Sequence, residues 1–133
     1  MRKAEPLWVM GRAVLAAHDL LLAAHGGATK LRDPGLLESA LARPRQHYAY
    51  GSPDIIELAA IYTVGIVRNH PFADGNERTG FATGVAFLLL NGFKLRATEQ
   101  EATQAVFALA AGELDEPGYT AWLRANVKPR RKR

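Results

Sequence analysis

The sequence feature that most constrains the fold is a pair of apolar segments joined by a short polar one. Residues 54 to 69 are apolar almost all round, and the apolar run FATGVAFLLL lies in a second predicted helix, residues 76 to 91. A helix that is apolar on every side has to be covered by other elements. We therefore predict two central, buried helices, joined by the polar segment HPFADGNERTG at residues 70 to 80.

Two further helices are predicted before this pair. Apolar side chains recur at helical spacing over residues 6 to 24, and a Gly-Gly pair follows that would end the helix. A second helix begins after Asp33, a favourable N-cap, and is expected to end at Pro44 because proline interrupts a helix interior. Residues 45 to 53 are then expected to be a loop.

The segments after residue 91 indicate a short extended piece and two last helices. The extended piece is FKLRA, and the helices are EQEATQAVFALAAG and EPGYTAWLRANV. No convincing set of alternating strands is present. The prediction is an all-α bundle of about six helices, with residues 1 to 127 as a single domain. The chain of 133 residues suits one core.

Composition and charge exclude several classes of protein. The chain has no cysteine, hence no disulfide framework or thiolate metal site, which suits a cytoplasmic protein. No run approaches the roughly 18 apolar residues of a membrane span, so no membrane association is expected. The tail KPRRKR, residues 128 to 133, could touch nucleic acid. A disordered, solvated terminus is favoured, and direct binding of nucleic acid is not expected.

The polar joint is either a plain surface loop or a phosphate-binding catalytic loop. Asp74, Gly75 and Asn76 lead into the N-terminus of the second central helix, where unpaired amides and the helix dipole attract anions. Gly75 would let the backbone approach a ligand closely. Arg78, in the first turn, could donate a forked pair of hydrogen bonds to phosphate oxygens.

Three more residues of the joint fit this second interpretation. Asp74 is a candidate magnesium ligand, because Mg²⁺ takes one or two carboxylates together with phosphate oxygens. Histidine is a common general base near neutral pH, so His70 could accept the proton of an attacking hydroxyl. Phe72 is interpreted as a wedge that anchors the loop in the core. Each residue alone has an ordinary structural explanation, but their joint occurrence favours transfer from a nucleotide.

The joint resembles the active-site motif of the Fic/Doc family, H-x-F-x-D/E-G-N-x-R-x-x-R. The matching residues are His70, Phe72, Asp74, Gly75, Asn76 and Arg78. The segments HDLLLAAHGG, RDPGLLESALARP and AFLLLNGFKL are similar to the Doc (death-on-curing) branch, the toxin half of bacterial toxin–antitoxin pairs. This resemblance covers residues 15 to 97 well and implies the helical Fic fold, with the active-site loop between two central helices.

The resemblance implies that part of a nucleoside triphosphate is transferred to a protein hydroxyl, with ATP and Mg²⁺ as cofactors. His70 would be the general base, Asp74 the magnesium ligand, and Arg78 a second catalytic residue. The residues expected at the nucleotide phosphates are Gly75, Asn76, Glu77 and Arg78.

The position of the final arginine of the motif bears on the group that is transferred. That position is Phe81 here, and Doc proteins also lack the arginine. Most Fic proteins transfer AMP, whereas Doc proteins phosphorylate a threonine of elongation factor Tu and so block translation. We therefore expect phosphoryl transfer, with AMP transfer as the alternative.

Glu77 departs from the family pattern, which has glycine in typical Fic proteins and usually lysine in Doc. A carboxylate facing the phosphates would repel them. Three outcomes are open. Glu77 points to solvent, or it binds a metal or pairs with Arg78, or the chain is a weakened Fic-fold binding module.

Regulation by a separate antitoxin is also implied by the resemblance. Many Fic proteins carry an inhibitory helix with the pattern S/T-x-x-x-E-G/N, and no glutamate in this chain is followed by Gly or Asn. In the Doc branch, a C-terminal helix of the antitoxin occupies a groove on the toxin. The candidate groove residues here are Leu7, Trp8, Phe107 and Trp122, although each is also an ordinary core residue.

Overall fold

The computed structural model describes residues 4–28 and 30–130. Within these ranges the all-α prediction of about six helices is confirmed. The helices are α1 Gly11–His25, α2 Pro34–Tyr50, α3 Ile55–Asn69, α4 Asn76–Leu90, α5 Glu99–Ala110 and α6 Glu116–Asn126. Two short strands, β1 Phe93–Leu95 and β2 Val127–Pro129, pair antiparallel, and β1 is the extended piece that the sequence predicts. None of the described helices is long and apolar enough to cross a membrane.

Helix α3 is the centre of the fold. Every residue from Leu58 to Val67 is buried, and α2, α4 and α6 pack around it. Its backbone approaches α4 closely, because a Cβ at Gly84 would collide with Thr63 Oγ1 and would lie 3.1 Å from the carbonyl oxygen of Ala59. The two central helices that the sequence predicts are therefore in direct contact, and their packing holds the ends of the joint.

Local side-chain caps explain where four of the helices begin. Asp54 accepts a hydrogen bond from the N–H of Glu57 at 2.8 Å, and the Glu57 carboxylate accepts one from the N–H of Asp54 at 2.8 Å. This reciprocal arrangement is a capping box. The other caps are Asp33 for α2, Thr98 for α5 and Asp115 for α6.

Helix α2 is longer than the sequence predicts. It passes through Pro44 and ends at Tyr50, so the predicted end at Pro44 and the predicted loop after it are wrong. A proline inside a helix costs about 3 kcal/mol. Packing offsets this cost, since Pro44 is buried and Tyr48, one turn later, packs edge-on against Trp8 at a ring distance of 5.7 Å.

Helix α1 is shorter than the sequence predicts, since it begins at Gly11 rather than near residue 6. The backbone before Gly11 forms hydrogen bonds with distant parts of the chain instead. The N–H of Val9 donates to the hydroxyl of Tyr62 at 3.1 Å, and the Leu7 N–H and carbonyl both bond to the side chain of Asn91 at 2.9 Å. These partners lie far away in the sequence, so local spacing does not reveal them.

The first residues of the basic tail are structured. Lys128 and Pro129 belong to β2. The Arg130 N–H donates to the carbonyl of Gly92, and its guanidinium donates to the carbonyl of Leu89. The ordered chain thus extends beyond the predicted boundary at residue 127, because β1 offers a partner strand. Residues 131–133 lie outside the described residues.

Candidate active site

The joint between α3 and α4 begins at His70, which follows α3 in a left-handed conformation with φ 54° and ψ 52°. It is the one non-glycine residue with a positive φ in the described ranges. Its N–H donates to the carbonyl of Ile66 at 3.1 Å, and its own carbonyl accepts hydrogen bonds from Nε and Nη2 of Arg32. The last carbonyl groups of a helix have no hydrogen-bond donor within the helix. Arg32 supplies donors to the carbonyl of His70 and so holds His70 in this conformation.

The segment before α2 lies along the joint. The N–H groups of Arg32 and Asp33 both donate to the carbonyl of Pro71, at 2.8 Å and 2.9 Å. The N–H of Ala73 donates to the carbonyl of Lys30 at 3.0 Å. These main-chain hydrogen bonds fix the joint against the rest of the domain, so it is not an ordinary free surface loop.

Phe72 and Asn76 lock the interior of the joint. Phe72 is fully buried, which confirms its predicted role as a wedge. The Asn76 side chain accepts a hydrogen bond from the Phe72 N–H at 3.0 Å and donates one to the Phe72 carbonyl at 2.9 Å. Its Nδ2 also lies 3.0 Å from Nδ1 of His70. The side chain of Asn76 therefore organises the loop, whereas its backbone N–H has no acceptor among the described residues.

Helix α4 begins without a side-chain cap. Gly75 precedes it in a left-handed conformation with φ 81°, and the first helical hydrogen bond runs from the N–H of Thr79 to the Gly75 carbonyl at 2.9 Å. Within the described part of the chain, the N–H groups of Asn76, Glu77 and Arg78 have no acceptor. Three unpaired amides at the positive end of a helix dipole are suited to binding an anion, and the phosphate-binding roles of these residues stay predictions.

Asp74 lies on the exposed side of the joint and fits a magnesium ion. Its Oδ2 accepts a hydrogen bond from the N–H of Ala28 at 2.9 Å, while Oδ1 has no hydrogen-bond partner among residues 4–28 and 30–130. No group of three His, Asp or Glu side chains placed to hold a metal occurs in those same ranges. A single oriented carboxylate suits Mg²⁺ that takes its remaining ligands from phosphate oxygens and water.

Glu77 and Arg78 follow on the first turn of α4 and line one groove. Arg78 is exposed and Glu77 is half-buried. No ion pair joins them in the part of the chain that the structure describes, so the predicted alternative in which they pair is not seen. The carboxylate of Glu77 therefore lies beside the uncapped helix end with no ion-pair partner among the described residues.

The groove has a volume of about 680 Å³ and runs from this first turn along α4 towards α5. Its walls are mostly apolar, and they include Phe81, at the position of the missing arginine of the motif. Of the predicted groove residues, Phe107 lines it and is 57% exposed. Trp8 instead stacks on Phe87, and Trp122 stacks on Tyr119.

Three residues outside the motif contact the joint. They are His18, whose Nε2 lies 2.8 Å from the Asp74 carbonyl oxygen, Ala28 and Arg32. His18 and Ala28 belong to α1 and the loop after it, and Arg32 precedes α2. His18 begins the segment HDLLLAAHGG, and Arg32 begins RDPGLLESALARP. Both segments carry part of the family resemblance, which is the sequence feature that could have pointed to these two residues.

Comparison with known proteins agrees with this architecture. The model of the Fic/DOC family matches residues 8–88, which include the whole joint. Toxin Doc of Mycolicibacterium smegmatis is 43% identical over 89 residues, which cover 62% of this chain and 68% of that protein. Protein kinase doc of Escherichia phage P1 is 32% identical over 112 residues, which cover 84% of this chain and 88% of that protein. The chain belongs to the Fic/DOC family and is similar to its Doc toxins.

Proposed function

We propose that the protein is a Doc-like toxin that transfers the terminal phosphoryl group of ATP to a protein hydroxyl. The observation that supports this most directly is the uncapped N-terminus of α4, whose three unpaired amides adjoin His70, Asp74 and Arg78. These groups supply what phosphoryl transfer needs, namely a cradle for phosphate charge, a cation and a base. The name of the phage P1 relative, a protein kinase, supports the same class of reaction.

Each residue of the proposed site has its own role in the reaction. The amides of the first turn of α4 bind phosphate oxygens, and the guanidinium of Arg78 adds charge-assisted hydrogen bonds. The Asp74 carboxylate would hold Mg²⁺, which when bound neutralises charge on the phosphates. The substrate hydroxyl oxygen attacks the γ-phosphorus and the bond to the bridging oxygen of ADP breaks. The hydroxyl proton passes to the imidazole of His70.

Phe81 supports phosphoryl transfer over AMP transfer. It lies in the groove beside Glu77 and Arg78, at the place where the longer motif has its second arginine. A phenyl ring makes no charged contact with a phosphate. The second arginine, which would bind phosphate in the AMP-transferring orientation of the nucleotide, therefore has no replacement at this position. By the family resemblance, we propose a threonine of elongation factor Tu as the acceptor, which would make the protein a cytoplasmic inhibitor of translation.

The reaction is tested with purified protein, elongation factor Tu, ATP and magnesium, followed by intact mass spectrometry. A gain of one phosphoryl group that disappears with His70→Ala is the expected result. A gain of AMP would identify the chain as an AMP transferase despite Phe81. If neither label appears and Glu77→Lys also gives none, the proposed phosphorylation of elongation factor Tu is wrong, because either the target is another protein or the site is silent.

The groove supports a second part of the proposal, that a separate antitoxin regulates the toxin. An amphipathic helix buries its apolar face in such a groove, and Phe107 offers a large exposed ring there. Because Glu77 and Arg78 line the same groove, an occupant would also cover the first turn of α4. Phe107→Glu should weaken binding of the antitoxin and leave phosphoryl transfer unchanged. Equal antitoxin affinity of this variant and wild type would place the antitoxin elsewhere.

A further inference from the structure

We propose that His18 is a positioning residue that turns the peptide N–H of Gly75 towards the nucleotide phosphates. The inference rests on the proposed function, since it concerns the same phosphate cradle. His18 lies on α1, far from the joint in sequence, and is only 1% exposed. The reaction proposed above gives no role to this buried imidazole.

Two contacts join His18 to the joint. Its ring stacks on that of Phe72, with a centroid distance of 3.7 Å and an interplanar angle of 12°. Its Nε2 lies 2.8 Å from the carbonyl oxygen of Asp74. A carbonyl oxygen can only accept a hydrogen bond, so Nε2 is the donor. The buried imidazole thus holds this one carbonyl towards α1.

The orientation of that carbonyl determines the direction of the next amide. The described ranges contain no cis peptide bond, and in a planar trans peptide the C=O and N–H groups point in opposite directions. With the Asp74 carbonyl turned inward to His18, the N–H of Gly75 is turned outward. Among the described residues this N–H has no acceptor.

Helix α1 leaves little room behind this peptide. A Cβ at Gly75 would lie 2.9 Å from Cδ2 of Leu22 and 3.5 Å from Cδ2 of His18. The left-handed φ of Gly75 also favours glycine. The Gly75 amide therefore adds a fourth donor to those of Asn76, Glu77 and Arg78, and successive amides of this kind form a concave anion site.

The orienting hydrogen bond can be separated from simple packing by two substitutions of His18. His18→Leu keeps an apolar side chain but removes the donor, which frees the Asp74–Gly75 peptide to rotate. His18→Gln keeps an N–H donor near the position of Nε2. Val14→Ala is the matched control, since Val14 is buried on the same helix one turn earlier and lies outside the joint.

The measurement is the Kd for ATP in the presence of magnesium, by calorimetry, together with the melting temperature of each variant. His18→Leu should weaken ATP binding roughly tenfold or more, as expected when one hydrogen bond to a charged group is lost. His18→Gln should restore most of the affinity. Val14→Ala should lower the melting temperature and leave the Kd unchanged.

The outcomes distinguish this inference from the proposed function. If wild type binds ATP and His18→Leu binds it equally well, His18 does not orient the cradle, although the proposed function stands. If His18→Gln is as weak as His18→Leu, the donor is not the cause, and the inference fails. If wild type does not bind ATP at all, the proposed function fails and this inference fails with it.

Discussion

The side-chain amide of Asn76 lies 3.0 Å from Nδ1 of His70 and selects one tautomer of the imidazole. The backbone of Phe72 sets the orientation of the Asn76 side chain. The Phe72 N–H donates to Oδ1 of Asn76, and the Phe72 carbonyl accepts from Nδ2 of Asn76. An amide nitrogen has no lone pair to offer, so Nδ1 of His70 must accept, and the neutral ring carries its proton on Nε2. The hydrogen bond to Asn76 therefore has to open before His70 takes a proton from a hydroxyl.

This tautomer can be observed directly. In the protein without nucleotide, we expect the ¹⁵N chemical shifts of neutral His70 to show an unprotonated Nδ1 and a protonated Nε2. Asn76→Ala removes the donor and should weaken the preference towards that of a free imidazole. Long-range ¹H–¹⁵N correlation spectra provide the measurement, and an unprotonated Nε2 in wild type would show that Asn76 does not set the tautomer.

Replacing His70 by alanine should abolish transfer while the fold is retained. The side chain of His70 is exposed and its main contact is the one to Asn76, so its removal leaves no cavity in the core. Growth arrest on expression and the melting temperature are measured together. Cells that express His70→Ala and stop growing as with wild type would contradict the role of His70 as base.

The charge of Glu77 should lower activity. Its carboxylate lies on the first turn of α4 beside the unpaired amides. Two unit charges at about 4 Å interact by roughly 1 kcal/mol in water and roughly 4 kcal/mol at an intermediate dielectric constant. We expect Glu77→Gln to raise the rate of transfer and Glu77→Lys to raise it further. Equal rates for all three proteins would mean that residue 77 does not face the phosphates.

The contact between α3 and α4 should not tolerate a side chain at Gly84. A Cβ there collides with Thr63 and approaches the carbonyl of Ala59. Gly84→Ala should therefore destabilise the protein by about 1–3 kcal/mol, the usual cost of overpacking a core. Gly11→Ala is the control, because the nearest atom to its Cβ would be Cδ1 of Leu41 at 3.7 Å. Urea unfolding of the two variants provides the comparison.

The stability of the protein should fall at alkaline pH, partly through Tyr119. Burial raises the pKa of Tyr119 from 10.0 to about 12, although a hydrogen bond with Thr63 opposes this shift. Because the folded state favours the protonated phenol, this contribution to stability is complete below pH 10.0 and is lost as the pH rises through about 12.

Tyr119→Phe should weaken this dependence without removing it, since burial also raises the pKa of Tyr62. The free energy of unfolding is measured in denaturant between about pH 9 and 12, the range over which the tyrosine ionises in the unfolded chain while it stays largely protonated in the folded one. If wild type and Tyr119→Phe lose stability in parallel over this range, Tyr119 does not contribute to the alkaline loss.

Signals that act over a few residues were sufficient to predict much of the fold. The starts of α2 and α3 follow from Asp33 and Asp54, whose side chains bond to amides three residues later. The apolar pattern of residues 54 to 69 likewise predicts a buried central helix, and α3 is that helix. Local signals failed at Pro44, where burial and the packing of Tyr48 on Trp8 outweigh the preference of proline for helix ends.

The sequence by itself determined the residues of the candidate site, because motif, turn chemistry and helix start all lie within residues 70 to 80. Only the tertiary structure decided how they are held. His18 reaches the carbonyl of Asp74 and Arg32 reaches that of His70 across long stretches of chain. Such partners are chosen by the way α1 and α2 pack on α3 and α4, and a hydrogen bond to a distant carbonyl leaves no periodic pattern in the sequence.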